Sequence, residues 1–274
     1  MNTVFFGSST YVLPVLKKLK ENYNVALIVT TSSDKSSSII DYAKKHHLEY
    51  LVSTNLQDKN VEKLILEKQA KFAVLASFGQ IITPNILNIF PMGIVNLHPS
   101  LLPFYRGPTP VQSAIINGEN ETGISLIKLD NLIDHGPILS QQKLEISNED
   151  NISLHNKLFT LGAKLLINTL PLYLNGTLIL KEQDHRKATF TKLLKRDSGY
   201  IDYKNPPSKE TIARMIRAYH PWPGVWTRIE LRGVVKNLKL LPQGMLQVEG
   251  KKVMSLKDFE NGYPKEKEKI EKLI

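Results

Sequence analysis

The segment TVFFGSSTYVLPVLKKLKENYNVALIVT, residues 3–30, joins two short apolar runs through an amphipathic helical pattern. Each apolar run is a continuous block rather than an alternation, which is typical of a strand buried on both faces of a parallel sheet. A strand, a helix and a second strand in this order predict a βαβ unit.

The same alternation of strand and helix patterns continues to residue 98. Further apolar runs follow helical patterns at LEYLV (48–52), KFAVLAS (71–77) and GIVNLH (93–98). Together they predict an open, doubly wound, mostly parallel α/β sheet of Rossmann-like type. Beyond it, GISLIKL (123–129) and PILSQQKLEI (137–146) predict an antiparallel pair of strands, followed by a long helix over 153–174.

A polar, proline-bearing stretch at 186–210 is typical of a linker, and divides the chain into domains at 1–185 and 211–274. In the second domain a helix over 211–219 precedes short strand-like pieces. These pieces are VWTRIEL, KNLKLL, MLQVEG and KKVMSL. They predict a small, abbreviated OB-like β-barrel.

Charge is distributed unevenly along the 274 residues, which carry 36 Lys+Arg, 26 Asp+Glu and no cysteine. From Arg186 onward there are 20 basic and 10 acidic residues, so the whole excess of +10 lies there. This predicts either a solubilising surface or a C-terminal module that binds a polyanion such as nucleic acid.

The lack of cysteine excludes a disulfide scaffold and thiolate chemistry, and it fits a cytoplasmic protein. No stretch approaches the ~20 apolar residues of a membrane span, so no membrane partner is expected.

Several common ligands are disfavoured. The turn after the first strand is Gly7-Ser8-Ser9-Thr10, which lacks the further glycines of a dinucleotide fingerprint, and no GxxxxGK[ST] motif occurs. The histidines show no HxxxH or HExxH spacing, so no metal is expected.

Polar residues concentrate where the predicted sheet ends. Asn96 and His98 alternate with apolar residues, so both point to one face of the strand, which Pro99 then terminates. A second polar cluster, which includes Asp134, follows the next strand, and Gly136 permits a tight turn there. Ligands of such sheets bind at the carboxyl ends of the strands.

These residue types suit acyl transfer. The amide of Asn96 can donate to a developing oxyanion, the imidazole of His98 can manage a proton, and the carboxylate of Asp134 can orient that imidazole. A capped turn with a partnered histidine is the structural alternative. Ser100 is not in a GxSxG elbow, so direct transfer between two bound substrates is favoured over a covalent intermediate.

The stretch NLHPSLLPFYRGPTPVQSAIINGENETGISLIKLDNLIDHGPIL, residues 96–139, resembles the signature region of the folate-dependent formyltransferases. VFFGSSTYVLPVL and VLASFGQIITPNIL resemble the same enzymes. In the second half, KATFTKLLKRDSGYIDY, IRAYHPWPGVWT and VEGKKVMSLKDFENGY resemble the methionyl-tRNA formyltransferases within that superfamily.

The resemblance implies transfer of a formyl group from 10-formyltetrahydrofolate to the α-amine of methionine on initiator methionyl-tRNA. It places Asn96, His98 and Asp134 in the catalytic positions and no metal in the site. The loop that it places beside the folate is Ser100, Leu101, Leu102 and Pro103, followed by Arg106 and Gly107 at the substrate. A monomer is expected.

Two departures from the family pattern weaken the tRNA assignment more than the formyl transfer. The segment 31–38 has only Lys35 among its serines where a basic insertion is usual, and the C-terminal barrel is short. Three alternatives therefore stay open: a formyltransferase acting on a sugar-nucleotide amine, an RNA-binding protein with an inactive formyltransferase half, and a hydrolase that releases formate from formyltetrahydrofolate.

Overall fold

The computed structural model describes residues 1–31 and 38–273. The segment around Lys35, where the family's basic insertion was expected, lies outside the described residues. The chain forms two compact units. Unit 1 comprises residues 1–110, 121–145 and 155–191, and unit 2 comprises 111–120, 146–154 and 192–274.

Unit 1 is built on one mixed sheet. Its strands are β1 (Asn2–Gly7), β2 (Asn24–Thr30), β3 (Tyr50–Val52), β4 (Phe72–Ala76), β5 (Ile94–His98), β6 (Glu121–Lys128) and β7 (Ile138–Glu145). They lie in the order β3-β2-β1-β4-β5-β6-β7, parallel from β3 to β5 and antiparallel from β5 to β7. The expected doubly wound, mostly parallel α/β sheet is therefore confirmed, as is the antiparallel pair β6 and β7.

The helices of the chain are α1 (Leu13–Asn22), α2 (Ser38–Lys45), α3 (Lys59–Leu66), α4 (Pro84–Ile89), α5 (Pro110–Asn117), α6 (Asn151–Leu174), α7 (Lys209–Tyr219), α8 (Leu256–Gly262) and α9 (Lys267–Glu271). Their ends follow local chemistry. Asp58 accepts from the Asn60 amide at the start of α3, and Thr83 accepts from the Ile86 amide at the start of α4. Among the described residues, no helix is both long and apolar enough to cross a bilayer.

The core of unit 1 explains why its strands read as continuous apolar runs. Val4, Phe5 and Phe6 of β1 are fully buried, because β1 lies between β2 and β4. The Phe6 ring meets the ring of Phe78 edge to face at 5.3 Å and that of Phe90 at 6.2 Å. Phe78 opens the loop after β4, so this packing fixes the strand end beside which the polar residues lie.

Unit 2 contains a smaller antiparallel sheet, which in the described residues orders β8 (Val225–Leu231), β9 (Val234–Leu240) and β10 (Leu246–Val248) as β10-β9-β8. The prediction of a further strand at KKVMSL was wrong. Met254 makes a single bridge to Leu246, and Ser255 and Asp258 then cap each other to begin α8. The local capping box outweighs the strand propensity of the preceding apolar residues.

Candidate active site

Strand β5 carries Asn96 and His98 to the middle of the sheet. It lies between β4 and β6, and Asn96 is opposite Leu75 on one neighbour and Ile127 on the other. The side chains of Asn96 and His98 point to the same face, as the alternation predicts. Both residues are buried, at 6% and 5% exposed, so their polar atoms depend on partners within the protein.

Asp134 supplies those partners from the loop between β6 and β7. One carboxylate oxygen accepts from Asn96 Nδ2 at 3.3 Å. The other accepts from the backbone amide of Gly107 at 2.8 Å and lies 3.5 Å from His98 Nδ1. The structure therefore brings together the predicted trio of Asn96, His98 and Asp134, with Gly107 as a fourth member.

The Asp134 loop adopts an uncommon backbone. Asp134 has φ of +48°, in the left-handed region that few residues other than glycine visit, although aspartate tolerates it. Two residues on, a Cβ at Gly136 would lie 1.8 Å from the carbonyl oxygen of Lys128. Only glycine fits there, because the turn runs against the backbone at the end of β6. This confirms that the turn needs Gly136.

The second ring nitrogen of His98 is also bonded. Nε2 lies 2.9 Å from the carbonyl oxygen of Tyr105, which can only accept, so Nε2 carries a hydrogen and donates. Nδ1 faces the Asp134 carboxylate, a second acceptor. The Tyr105 carbonyl and the Asp134 carboxylate therefore fix the orientation of the imidazole from its two nitrogens.

The Ser100–Pro103 segment is packed rather than open. Ser100 and Leu102 are buried, and the Ser125 hydroxyl donates to the Ser100 carbonyl and accepts from the Leu102 amide. The Gln141 amide donates to the Leu102 carbonyl at 2.9 Å. Strands β6 and β7 thus fix this loop, and its role in folate binding stays a prediction.

The Arg106 side chain is buried and bonded within the protein, and its predicted place at the substrate stays a prediction. It is 3% exposed, and its guanidinium donates to Gln183 Oε1 from Nε at 3.2 Å and from Nη2 at 2.6 Å. Burial lowers the pKa of Arg106, although the carboxylates of Asp134 and Asp130 act in the opposite direction. The arginine is therefore part of the framework behind the site.

Two cavities meet at the trio. One, of about 360 Å³, is lined by Asn96, His98, Gly107 and Asp134 together with apolar side chains that include Phe78, Ile133 and Phe159. The other, of about 160 Å³, shares Asn96 and Asp134 and is otherwise lined by residues such as Leu75, Ile82 and Leu129. Asn96 and Asp134 thus border both cavities, whereas His98 lines the larger one.

Sequence reasoning missed several residues of this site. Gln183 falls in a stretch without regular periodicity, and the Tyr105 carbonyl is a backbone group that no motif reveals. Ile81 and Ile133 line the cavities although they are 79% and 58% exposed. Exposed isoleucines beside a polar cluster carry no periodic signal, so only the fold identifies them.

Comparison with known proteins identifies the family of the chain. The formyl transferase family model matches residues 1–170. Methionyl-tRNA formyltransferase of Chloroflexus aggregans is 38% identical over 237 residues, which cover 83% of this chain and 76% of that one. The corresponding enzyme of Geobacillus sp. is 35% identical over 238 residues, covering 83% and 74%.

Solved structures share the fold. Methionyl-tRNA formyltransferase from Clostridium thermocellum has a TM-score of 0.62 at 20% identity and covers 93% of this chain and 99% of its own. A sugar N-formyltransferase from Shewanella sp. has a TM-score of 0.69 at 17% identity, covering 92% and 99%. At such identities these likenesses show the fold alone, whereas the sequence relatives distinguish between the two kinds of enzyme. The chain belongs to the methionyl-tRNA formyltransferase family.

Proposed function

We propose that the trio of Asn96, His98 and Asp134 transfers the formyl group of 10-formyltetrahydrofolate to the α-amine of methionine on initiator methionyl-tRNA. The activity is that of the family to which the chain belongs. The observation that supports these residue roles is the convergence of the Asn96 and His98 side chains on the Asp134 carboxylate, where Asn96 and Asp134 line both cavities.

Two adjoining spaces suit a reaction with two substrates. The smaller cavity has several apolar side chains, among them Ile82 and Leu129, which fit a flat heteroaromatic ring such as a pterin. The larger cavity adds His98 and Gly107. In this proposal donor and acceptor approach the shared residues from the two sides, so no covalent enzyme intermediate is needed. The fixed Ser100–Pro103 loop supports the folate side.

The residues of the trio divide the chemistry. The unprotonated amine attacks the formyl carbon, and negative charge develops on the formyl oxygen. Asn96 uses one N–H toward Asp134 and has a second for this oxygen, and the charged His98 ring adds to its stabilisation. Asp134 keeps His98 charged and in place, and helps pass a proton from the attacking amine toward N10 of the departing folate.

We also propose that unit 2 binds the tRNA. On the outer face of the β8–β9 pair, Arg228 and Lys239 are exposed, and Trp222 in the preceding loop is 56% exposed. Cations beside an exposed aromatic surface suit the phosphates and bases of RNA. We propose that this sheet is an abbreviated OB-like barrel, which its antiparallel connectivity supports, and that the protein acts as a cytoplasmic monomer.

An acceptor panel tests the function. The protein is supplied with 10-formyltetrahydrofolate and, in separate reactions, charged initiator tRNA, an amino-sugar nucleotide or no acceptor. We expect formyl-methionyl-tRNA as the product. Formylation of the sugar without the tRNA supports the sugar-nucleotide alternative, and release of formate without an acceptor supports a hydrolase.

Charge reversal tests the tRNA surface. The variant Arg228→Glu/Lys239→Glu should bind methionyl-tRNA more weakly and show a shallower dependence of log affinity on log salt, by about one unit for each lost phosphate contact. The control is Lys45→Glu, an exposed residue of α2. Equal salt slopes for the two variants would contradict a role for this face.

A further inference from the structure

Gln183 has no place in the proposed chemistry, yet every hydrogen-bonding position of its side-chain amide is used. Nε2 donates to the carbonyl of Asp134 at 2.9 Å and to that of Gly136 at 2.7 Å. Oε1 accepts twice from the Arg106 guanidinium. An amide has two hydrogens and two lone pairs, so Gln183 is saturated, and it is only 5% exposed.

Both carbonyls that Gln183 holds belong to the Asp134 loop. One is the carbonyl of the catalytic aspartate itself, and the other lies on the far side of His135. The backbone here combines the positive φ of Asp134 with a glycine that admits no side chain. Such a conformation persists only where its surroundings fix it, and Gln183 provides two of the fixing bonds.

Arg106 connects this anchor to the carboxylate. Its guanidinium donates to Gln183, and the next residue, Gly107, donates its backbone amide to Asp134 Oδ2. A closed ring results: the Asp134 carbonyl, Gln183, Arg106, Gly107 and the Asp134 carboxylate. Asp134 is therefore held at its backbone and at its side chain by one connected set of bonds, and displacement of either end disturbs the other.

Two histidines lie beside Arg106, on the outer side of this cycle of hydrogen bonds. Arg106 Nη2 lies 2.8 Å from His185 Nδ1, and because a guanidinium only donates, this nitrogen accepts. The His185 ring stacks on that of His135 at 3.9 Å, and His135 Nδ1 meets the Asp130 carboxylate at 2.6 Å. The arginine that supports Gln183 is itself held in one orientation.

We propose that Gln183 is a positioning residue for formyl transfer: it acts through Asp134, by fixing the loop that aims the carboxylate at Asn96 and His98. Gln183 lines neither the 360 Å³ nor the 160 Å³ cavity, so it contacts neither the reacting atoms nor the donor. The inference rests on the proposed role of Asp134. We therefore expect substitutions of Gln183 to lower kcat rather than substrate binding.

Two substitutions separate positioning from simple structural support. Gln183→Ala removes all four bonds. Gln183→Glu keeps the shape and gains an ion pair with Arg106, but the oxygen that replaces Nε2 faces the two carbonyls, cannot donate to them and so cannot hold the loop. We expect kcat to fall about 10- to 100-fold in both variants, with KM for 10-formyltetrahydrofolate within about threefold of wild type. Gln142→Ala, on the exposed part of β7, is the control and should match wild type.

A double-mutant cycle with Asp134→Asn completes the test. If Gln183 acts through the carboxylate, Gln183→Ala should add little to the loss already caused by Asp134→Asn. If the kcat of the double variant fell by the product of the two single fold-losses, the inference would be overturned. A wild-type kcat in Gln183→Glu with an unchanged melting temperature would overturn it as well. Both tests require that the wild type formylates methionyl-tRNA and that Asp134→Asn lowers this activity. If either requirement fails, the proposed function is refuted instead of the role of Gln183.

Discussion

Replacing Asp134 with asparagine removes one charge and leaves the side-chain shape almost unchanged. The carboxylate accepts from Gly107 and Asn96 and lies 3.5 Å from His98 Nδ1. An amide in its place turns an NH₂ group toward a neighbour that is itself a donor. It also removes the negative charge that faces His98 Nδ1.

The size of the effect follows from the role that the carboxylate loses. The Asp134 carboxylate lies 3.5 Å from His98 Nδ1 and its side chain is 14% exposed, so it holds the imidazole in place largely shielded from water. Proton transfer by a positioned side chain typically contributes about 10²- to 10⁴-fold to the rate, so kcat should fall about 10³-fold.

The assay is steady-state formylation of charged initiator tRNA, with kcat and both KM values compared between wild type and Asp134→Asn. Asp41→Asn, an exposed aspartate of α2, is the matched control and should behave as wild type. Melting temperatures verify that both variants are folded. If folded Asp134→Asn kept kcat within about fivefold of wild type, the proposed action of Asp134 on His98 would be refuted.

Three further substitutions probe the donor, the loop and the stability of the fold. Asn96→Ala should lower kcat about 10²- to 10³-fold, with little change in KM for the folate, in the same assay. A variant that retained most of its turnover would show that the amide is not the oxyanion donor. Gly136→Ala places a methyl group 1.8 Å from the Lys128 carbonyl and should lower the free energy of unfolding by about 1–3 kcal/mol in urea titrations; an unchanged value would contradict the packing described. Asp150→Ala should cost about 1 kcal/mol at pH 7, because Asp150 accepts the Ser153 amide at the start of α6. Burial raises the pKa of Asp150, but the hydrogen bonds from Ser153, together with nearby His220 and the Ile152 amide, lower it by more, so the folded-state pKa lies below the usual 3.8. The difference in stability should therefore be complete above pH 3.8 and shrink as the pH falls through the folded value. A difference that grew in acid would refute this.

The trio was predictable because its positions obey local rules. Alternation along a strand places Asn96 and His98 on one face without knowledge of the rest of the chain. A glycine two residues after Asp134 marks a tight turn at the end of the neighbouring strand. Since strand ends of this sheet type gather at one edge, local patterns sufficed to bring the three residues together.

The framework around the trio was not predictable. Gln183 lies 49 positions from Asp134, in a segment with neither helical nor strand periodicity, so no local rule connects them. Arg106 was predicted at the substrate, because a cation in a glycine-bearing loop suggests an anion site, and that role stays a prediction. Its burial and its bonds to Gln183 follow only from the tertiary structure.

The C-terminal sheet shows how competing local signals mislead. KKVMSL combines apolar residues with strand propensity, and the pattern alone favours a strand. Ser255 and Asp258 have the spacing of a capping box, and their reciprocal bonds start α8 instead. Among the described residues, the isolated bridge between Leu246 and Met254 is what remains of the predicted strand.

Direct transfer at the trio is tested most directly by following labelled formyl in a single turnover. The protein, in excess over formyl-labelled 10-formyltetrahydrofolate, is sampled before and after addition of charged initiator tRNA. We predict unlabelled protein and intact donor before the addition, and label on the α-amine of methionine after it, about 10³-fold more slowly in Asp134→Asn. Label bound covalently to the protein, release of formate without tRNA, or equal rates in wild type and variant would contradict the account.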